Sequence, residues 1–402
     1  MKIFQDRFLI IFLLLGLLIR ILLAPIQGFK FDVDTWFYWA ERLNSVGLDK
    51  FYSTDIWTGY TPGFLYILGF LGFIKNLFQI DAAQFYSVLK FPSILAEMGL
   101  GILVYQIIPK NLFWWRRTGL IFVMLNPSFI FNSAIFGQFD GLFSFTVLLA
   151  VYFLTQKKPL YASILGGISF LLKPQAILLV PIFLIYLIKN FSIKNIFFII
   201  LPALLIIFFG FFPFFIYNPI AGPIQLVSNL LNFYPFSSIF AYNFWGIFGF
   251  WIPDNTIFFG LNYQTWGYIL FILYWSAIAY FYWKKGYLTL MDLATLSSLS
   301  FFFLITRMHE RYLYPGLIFL IISALLKKSK VLTFLAIVLS LIYLLDLYYV
   351  YIYYNYFSLK LPTSIYNSAL YNFADKNLQF ISFFSTFIFL IISYIKINEK
   401  KI

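Results

Sequence analysis

Long apolar runs alternate with short polar breaks from one end of the chain to the other. The runs lie at roughly 8–25, 84–108, 118–135, 140–155, 160–172, 175–189, 195–216, 264–283, 288–305, 313–326, 331–350 and 377–395. Many approach the roughly twenty residues that a helix needs to cross a bilayer. The pattern predicts an all-α polytopic membrane protein with about twelve transmembrane helices. A transmembrane barrel would show alternating segments of roughly ten residues instead. Pro92, Pro174, Pro181, Pro202 and Pro315 predict kinks or helix starts near the membrane faces. There is no internal repeat, low-complexity linker or soluble domain, so 1–402 reads as one integral membrane domain.

Basic residues orient the helices, because loops rich in Lys and Arg stay inside. With the N-terminus inside, the inner segments carry Lys2 and Arg7; Lys110, Arg116 and Arg117; Lys157 and Lys158; Lys189 and Lys194; Lys284 and Lys285; Lys327, Lys328 and Lys330; and Lys396, Lys400 and Lys401. Most acids fall on the other side, which predicts N-in and C-in. This solution requires the apolar stretch 59–78 to lie on or dip into the outer face. If it crossed, every later helix would invert and the Arg116-Arg117 and Lys157-Lys158 loops would fall outside. Three outer regions follow: 26–83, 217–263 and a Tyr-rich 351–376. The run from Phe8 to Leu23 follows Lys2 and Arg7 but lacks a small-x-small cleavage pattern, and reads as an uncleaved first helix.

Composition agrees. The chain is 62% hydrophobic and 11% charged, where a soluble domain is about a quarter charged. The net charge of +13 is spread in ones, twos and threes between apolar runs, the distribution of topology determinants rather than of a nucleic-acid surface. The absence of cysteine excludes disulfides and thiolate metal sites. Aromatics reach 24%, more than interfacial belts need; they read as lipid-facing and interfacial rings, with stacking on sugars the alternative for some.

Four polar motifs fall at one predicted face: Asp32-Val33-Asp34, Gly137-Gln138-Phe139-Asp140, Lys173-Pro174-Gln175 and Arg307-Met308-His309-Glu310-Arg311. Ionisable groups beside hydrocarbon are costly, so a one-sided cluster of them marks a candidate reaction site. Asp32 and Asp34, two apart in an expected extended stretch before an aromatic helix from Thr35 to Asn44, would point the same way. One is a candidate general base, and together they are candidate ligands for a divalent cation. No cofactor is otherwise required. Asn126-Pro127 predicts a kink, followed by a polar turn that carries Gln138 and Asp140. Lys173 needs an anion, either Asp140 or a phosphate. Arg307, His309 and Arg311 have the composition of an anion clamp, with Glu310 holding the arginines. Gln138, Asp140, Gln175 and Glu310 are candidate substrate-binding side chains. Deeper in the helices, Glu97 and Asp292 should pair, with Lys90, Arg20 or Arg307 as candidates, and Asp346 is expected to face water near the outer end of its helix.

These motifs, in the order FDVDTWFYWAERL, YTPGFLY, LNPSFIFNSAIFGQFDGLF, LLKPQAILLVP and RMHERYLYPG, resemble the GT-C fold of membrane glycosyltransferases. The resemblance is greatest to the branch related to GPI mannosyltransferases, and it covers nearly the whole chain. It implies a sugar donor on a polyprenyl phosphate such as dolichyl phosphate, an active site on the extracytoplasmic face, and a juxtamembrane helix at YTPG. It also implies that an acid of the first outer loop is the catalytic base. Asp32 matches best, because Trp39-Ala40-Glu41 falls at the spacing of the dolichyl-phosphate-glucose-dependent relatives; Asp34 is the alternative. Those relatives carry His-x-His-Glu-Lys where this chain has Arg307-x-His309-Glu310-Arg311, so the match is direct at His309 and Glu310 and departs at Arg307. Gln138 matches a polar residue of the corresponding turn.

The expected function is an inverting transfer of a hexose, mannose by resemblance, from a polyprenyl-phosphate donor to a glycan or glycolipid acceptor. The expected location is the plasma membrane of a prokaryote or the endoplasmic reticulum of a eukaryote. A transporter or flippase of lipid-linked sugars is the alternative. Transporters place polar sites near the midplane and show repeats, whereas here the polar motifs crowd one rim. A non-catalytic scaffold would not need the clamp. The cysteine-free background allows a direct topology test: a Lys158→Cys protein in sealed vesicles should resist a membrane-impermeant thiol reagent from outside and react after permeabilisation.

Overall fold

The computed structural model describes residues 6–53, 56–284, 286 and 288–398. Lys2, Lys285, Lys400 and Lys401 lie outside the described residues. The chain folds as α1 (Arg7–Leu23), α2 (Lys30–Val46), α3 (Pro62–Leu77), α4 (Ala82–Val88), α5 (Phe91–Ile107), α6 (Phe113–Leu125), α7 (Pro127–Ile130), α8 (Asp140–Thr155) and α9 (Pro159–Leu172). It continues through α10 (Val180–Asn190), α11 (Ile193–Phe211), α12 (Ala221–Leu231), α13 (Tyr263–Lys284), α14 (Leu290–Leu304), α15 (Tyr314–Leu326), α16 (Lys330–Ile352), α17 (Ser368–Lys376) and α18 (Leu378–Asn398). Helix therefore forms in every expected apolar stretch. Five helical stretches are long and apolar enough to cross a membrane: Ala82–Ile107, Phe113–Phe136, Ile193–Phe214, Lys330–Ser358 and Leu378–Asn398. They are compatible with an integral membrane protein. The 59–78 stretch contains α3, an apolar helix of 16 residues packed against α2 and α9.

Two short β elements join distant segments. β1 (Ser238–Ile239) pairs in parallel with β4 (Met308–His309), while β2 (Ile257–Phe258) and β3 (Leu261–Asn262) form a small antiparallel pair. The first pair ties the segment after α12 to the link between α14 and α15.

The helices run between two chemically different ends. Lys189 at the end of α10 lies over the Tyr282 ring of α13 at 4.6 Å. Asp292 at the start of α14 meets Lys327 at 3.1 Å and Lys396 at 2.8 Å. Asp292 thus takes its partners from α18 and the end of α15, not from Lys90, Arg20 or Arg307; these groups share its end of the bundle, whereas the three candidates do not. Lys90 instead donates to the carbonyls of Ala24, Ile26 and Ala134. Asp346 is buried rather than water-facing, and accepts from the Tyr242 amide at 3.1 Å, because the 238–250 segment folds over this part of α16.

Midway along the bundle, Arg20 meets Glu97 at 2.5 Å and also donates to the carbonyls of Gly16 and Met124. Glu97 further accepts from Ser133 at 2.7 Å and Tyr314 at 2.7 Å. One buried carboxylate thereby joins α1, α5 and α15 to the turn beyond α7. At Asn126-Pro127 the helix breaks rather than merely kinks. Asn126 caps α7 by accepting from the Ser128 amide, and its side-chain oxygen also accepts from Ser340 of α16. A π-helical turn follows over Phe131–Phe136 and ends at Gly137, whose φ of 88° is a conformation costly for other residues. This break places Gln138 and Asp140 at the polar end of the bundle.

Removing one member of a buried ion pair leaves an uncompensated charge and costs about 3–5 kcal/mol. Glu97→Gln should therefore lower the thermal unfolding midpoint in detergent markedly, while Glu41→Gln, whose partner Lys75 sits in a more exposed pair at 3.0 Å, should shift it little.

Candidate active site

Asp32 lies in the first turn of α2. The helix begins at Lys30 and not at Thr35, so the expected extended stretch is helical. Residues two apart on a helix face different ways, and the two acids separate accordingly. Asp32 accepts from Gln138 Nε2 and stands 3.6 Å from Arg311. Asp34 instead meets Lys30 at 2.7 Å and the Tyr86 hydroxyl at 2.7 Å. They share no partner and face different ways. Among the described residues no group of three or more His, Asp or Glu gathers to hold a metal ion.

The link between α14 and α15 supplies the opposing wall. His309 is held by pairing with Ile239 of β1 and by a bridge to Phe240. Glu310 and Arg311 form a buried pair at 2.9 Å, and Glu310 lies 3.7 Å from His309. Burial alone would raise the Glu310 pKa, but the Arg311 guanidinium and the His309 contact outweigh it and bring it down to about 2. Burial pushes the His309 pKa below its usual value, more strongly than Glu310 restores it, and Arg311 adds to the depression. The shift favours the neutral imidazole.

Arg307 does not join this group. Its backbone is left-handed, with φ of 65°, and its side chain turns to Asp254 at 2.6 Å and to the Leu231 carbonyl. The clamp expected from three cations in one pentapeptide is thus divided. Glu310 holds only Arg311, and Arg307 fastens the segment that follows α12. Asp254 belongs to the segment between α12 and α13, whose sequence carries no motif, so nothing in the sequence pointed to this pairing.

Lys173, in the break after α9, pairs with Asp140 at 2.5 Å, taking the carboxylate that was one of its two expected anions. Burial pushes its pKa down, against the pull of Asp140. Asp140 also accepts from Asn132 at 3.3 Å. Gln175 donates to the Tyr312 hydroxyl at 2.9 Å. Tyr312 and Tyr60, which carry no charge to mark them out in the sequence, complete the same wall.

Two adjoining cavities result. One, of about 110 Å³, is lined by Asp32, Lys173, Gln175, His309, Arg311 and Tyr312, among others. The second, of about 390 Å³, shares Asp32, His309 and Arg311 but is otherwise mainly aromatic. Asp32 is thus reached from both. Arg311 Nε is buried without a hydrogen-bond partner among the described residues. An orphaned guanidinium N–H beside a cavity suits an acceptor oxygen that arrives with a ligand. Compared with protein-family models and with curated proteins, the chain matches none.

The depressed His309 pKa has a measurable consequence. NMR of labelled His309 should show titration below the usual 6.5, shifted further down in Glu310→Gln, which removes the group that raises it. The unfolded chain binds this proton more readily than the folded one, so the contribution of His309 to folding stability should fall as pH drops through 6.5 towards the folded value. An upward shift in Glu310→Gln would contradict the assigned electrostatics.

Proposed function

We propose that the protein is an inverting glycosyltransferase of the GT-C type, moving a hexose from a polyprenyl-phosphate donor to a glycan or glycolipid acceptor. The observation that carries this reading is the convergence of Asp32, His309 and Arg311 on one cavity, with Arg311 Nε left without a partner. In this proposal the protein is integral to the plasma membrane of a prokaryote or the endoplasmic reticulum of a eukaryote. Its reacting end faces away from the cytosol, and the basic end lies inside.

In the proposed reaction Asp32 takes the proton of the acceptor hydroxyl. The freed oxygen forms a bond to the anomeric carbon while the bond from that carbon to the phosphate oxygen breaks. The electron pair leaves with the lipid phosphate, and attack opposite the leaving group inverts the configuration. Arg311 stabilises the phosphate through its unpartnered Nε, with neutral His309 as a further hydrogen-bond donor. Lys173 is already neutralised by Asp140 and adds field rather than an empty clamp position. Gln138 donates to Asp32 and serves as a positioning residue. Mannose as the donor sugar rests on the resemblance described above.

The experiment is incubation of the purified protein with a panel of polyprenyl-phosphate sugars and an oligosaccharide mixture, following release of lipid phosphate. Asp32→Asn should reduce transfer by about 10²–10⁴-fold, the usual worth of a general base, while Asp34→Asn should retain most of it. Wild-type rates in Asp32→Asn would remove the base assignment, and silence with every donor would remove the proposed activity.

A further inference from the structure

The larger of the two cavities differs in chemistry from its neighbour. Beyond the shared wall, its lining includes Phe29, Phe31, Phe240, Trp251 and Tyr354. These rings meet largely edge to face: Phe240 and Trp251 at 5.7 Å and 73°, Phe31 and Tyr354 at 5.5 Å and 83°, and Phe29 and Tyr354 at 5.6 Å and 82°. Its volume of about 390 Å³ falls within the range of small-ligand sites, about 300–1,000 Å³.

Two members of this wall are set against backbone preference. Phe240 and Trp251 both have φ of 58°, in the left-handed region. Such residues are strained, and such outliers cluster at ligand sites. The fold holds them there. The Trp251 amide donates to the Ser238 carbonyl at 2.9 Å, and Phe240 is bridged to His309. The aromatic wall is thus tied through the β1–β4 pairing to the segment that carries His309 and Arg311.

The polar groups narrow what this chamber can take. Its described lining has two carboxylates, Asp32 and Glu310, and one fixed cation, Arg311, which already faces both. An anionic ligand would meet net negative charge here. A neutral pyranose meets none: the C–H face of the ring suits an aromatic surface, and its hydroxyls can donate to a carboxylate.

We infer that the aromatic chamber is the acceptor subsite and takes a neutral pyranose ring against Trp251 and its aromatic neighbours, with one hydroxyl presented to Asp32. This assignment rests on the proposed role of Asp32 as base. It separates the two substrates: the donor phosphate on the Lys173–Arg311 side, and the acceptor sugar on the Trp251 side. The acceptor is then carbohydrate at its reacting end, whatever carries it.

The test measures saccharide binding without donor. Full-length protein in nanodiscs is titrated with a neutral mannotrioside, with the same sugar bearing a 6-phosphate, and with a serine-containing peptide, using saturation-transfer NMR. The neutral sugar should bind, the phosphorylated sugar at least about tenfold more weakly, and the peptide not at all. Trp251→Leu should weaken neutral-sugar binding about tenfold, a loss of about 1.4 kcal/mol, and Trp251→Phe should restore most of it. That rescue separates a lost stacking surface from a disturbed fold. No binding of the neutral sugar to wild type, equal binding of the phosphorylated sugar, or wild-type affinity in Trp251→Leu would each overturn the assignment. Lipid-phosphate release by wild type, measured in parallel, reports on the glycosyltransferase reading independently: sugar binding without release from any donor would reject that activity while retaining the chamber as a saccharide site.

Discussion

Taking Arg311 out of water requires a counter-charge, and the site is organised around that requirement. Glu310, the adjacent residue, supplies it in a buried pair. The pairing occupies Nη1, brings Nη2 to 3.6 Å from Asp32, and leaves Nε without a partner. An isolated buried guanidinium would be prohibitively costly, and one fully satisfied by protein would have nothing to offer a ligand. The intermediate state, paired but not saturated, lets the same residue stabilise the folded site and keep a donor in reserve.

The same rule recurs along the bundle with a different result. Arg20 and Glu97, and Asp292 with Lys327 and Lys396, are networks in which the carboxylate collects several partners. Those clusters join helices and leave little for a ligand. Lys173 and Asp140 stand between the two cases: Lys173 borders a cavity, yet each is the other's principal partner. The number of donors left over, rather than the number of charges present, distinguishes the candidate site from the structural clasps.

Much of this was legible in the sequence, and the misses have identifiable causes. The apolar runs outlined the helices because main-chain groups away from water must bond internally. The convergence of Asp32, Gln138, Asp140, Lys173, His309 and Arg311 followed from counting helix ends, since neighbouring antiparallel helices bring alternate turns to one end. The count failed where a single backbone angle or helix start intervened. Asp34 parted from Asp32 because α2 starts at Lys30, turning an expected extended pair into two faces of a helix. Arg307 left the clamp because a left-handed residue in the link sends its side chain to Asp254.

By itself, then, the sequence determined the all-α class, the positions of the apolar helices and the set of polar motifs that gather at one end. These are one-dimensional consequences of hydrogen bonding and of the cost of exposing or burying charge. Only the tertiary structure decided that Asp32 rather than Asp34 faces the cavity, that Arg311 keeps an unpartnered nitrogen there, and that Phe240 and Trp251 wall a second chamber beside the first. Those outcomes turn on the rotation of a helix, on a few strained torsions and on which distant segments pair, and such geometry is set by packing between segments far apart in the chain.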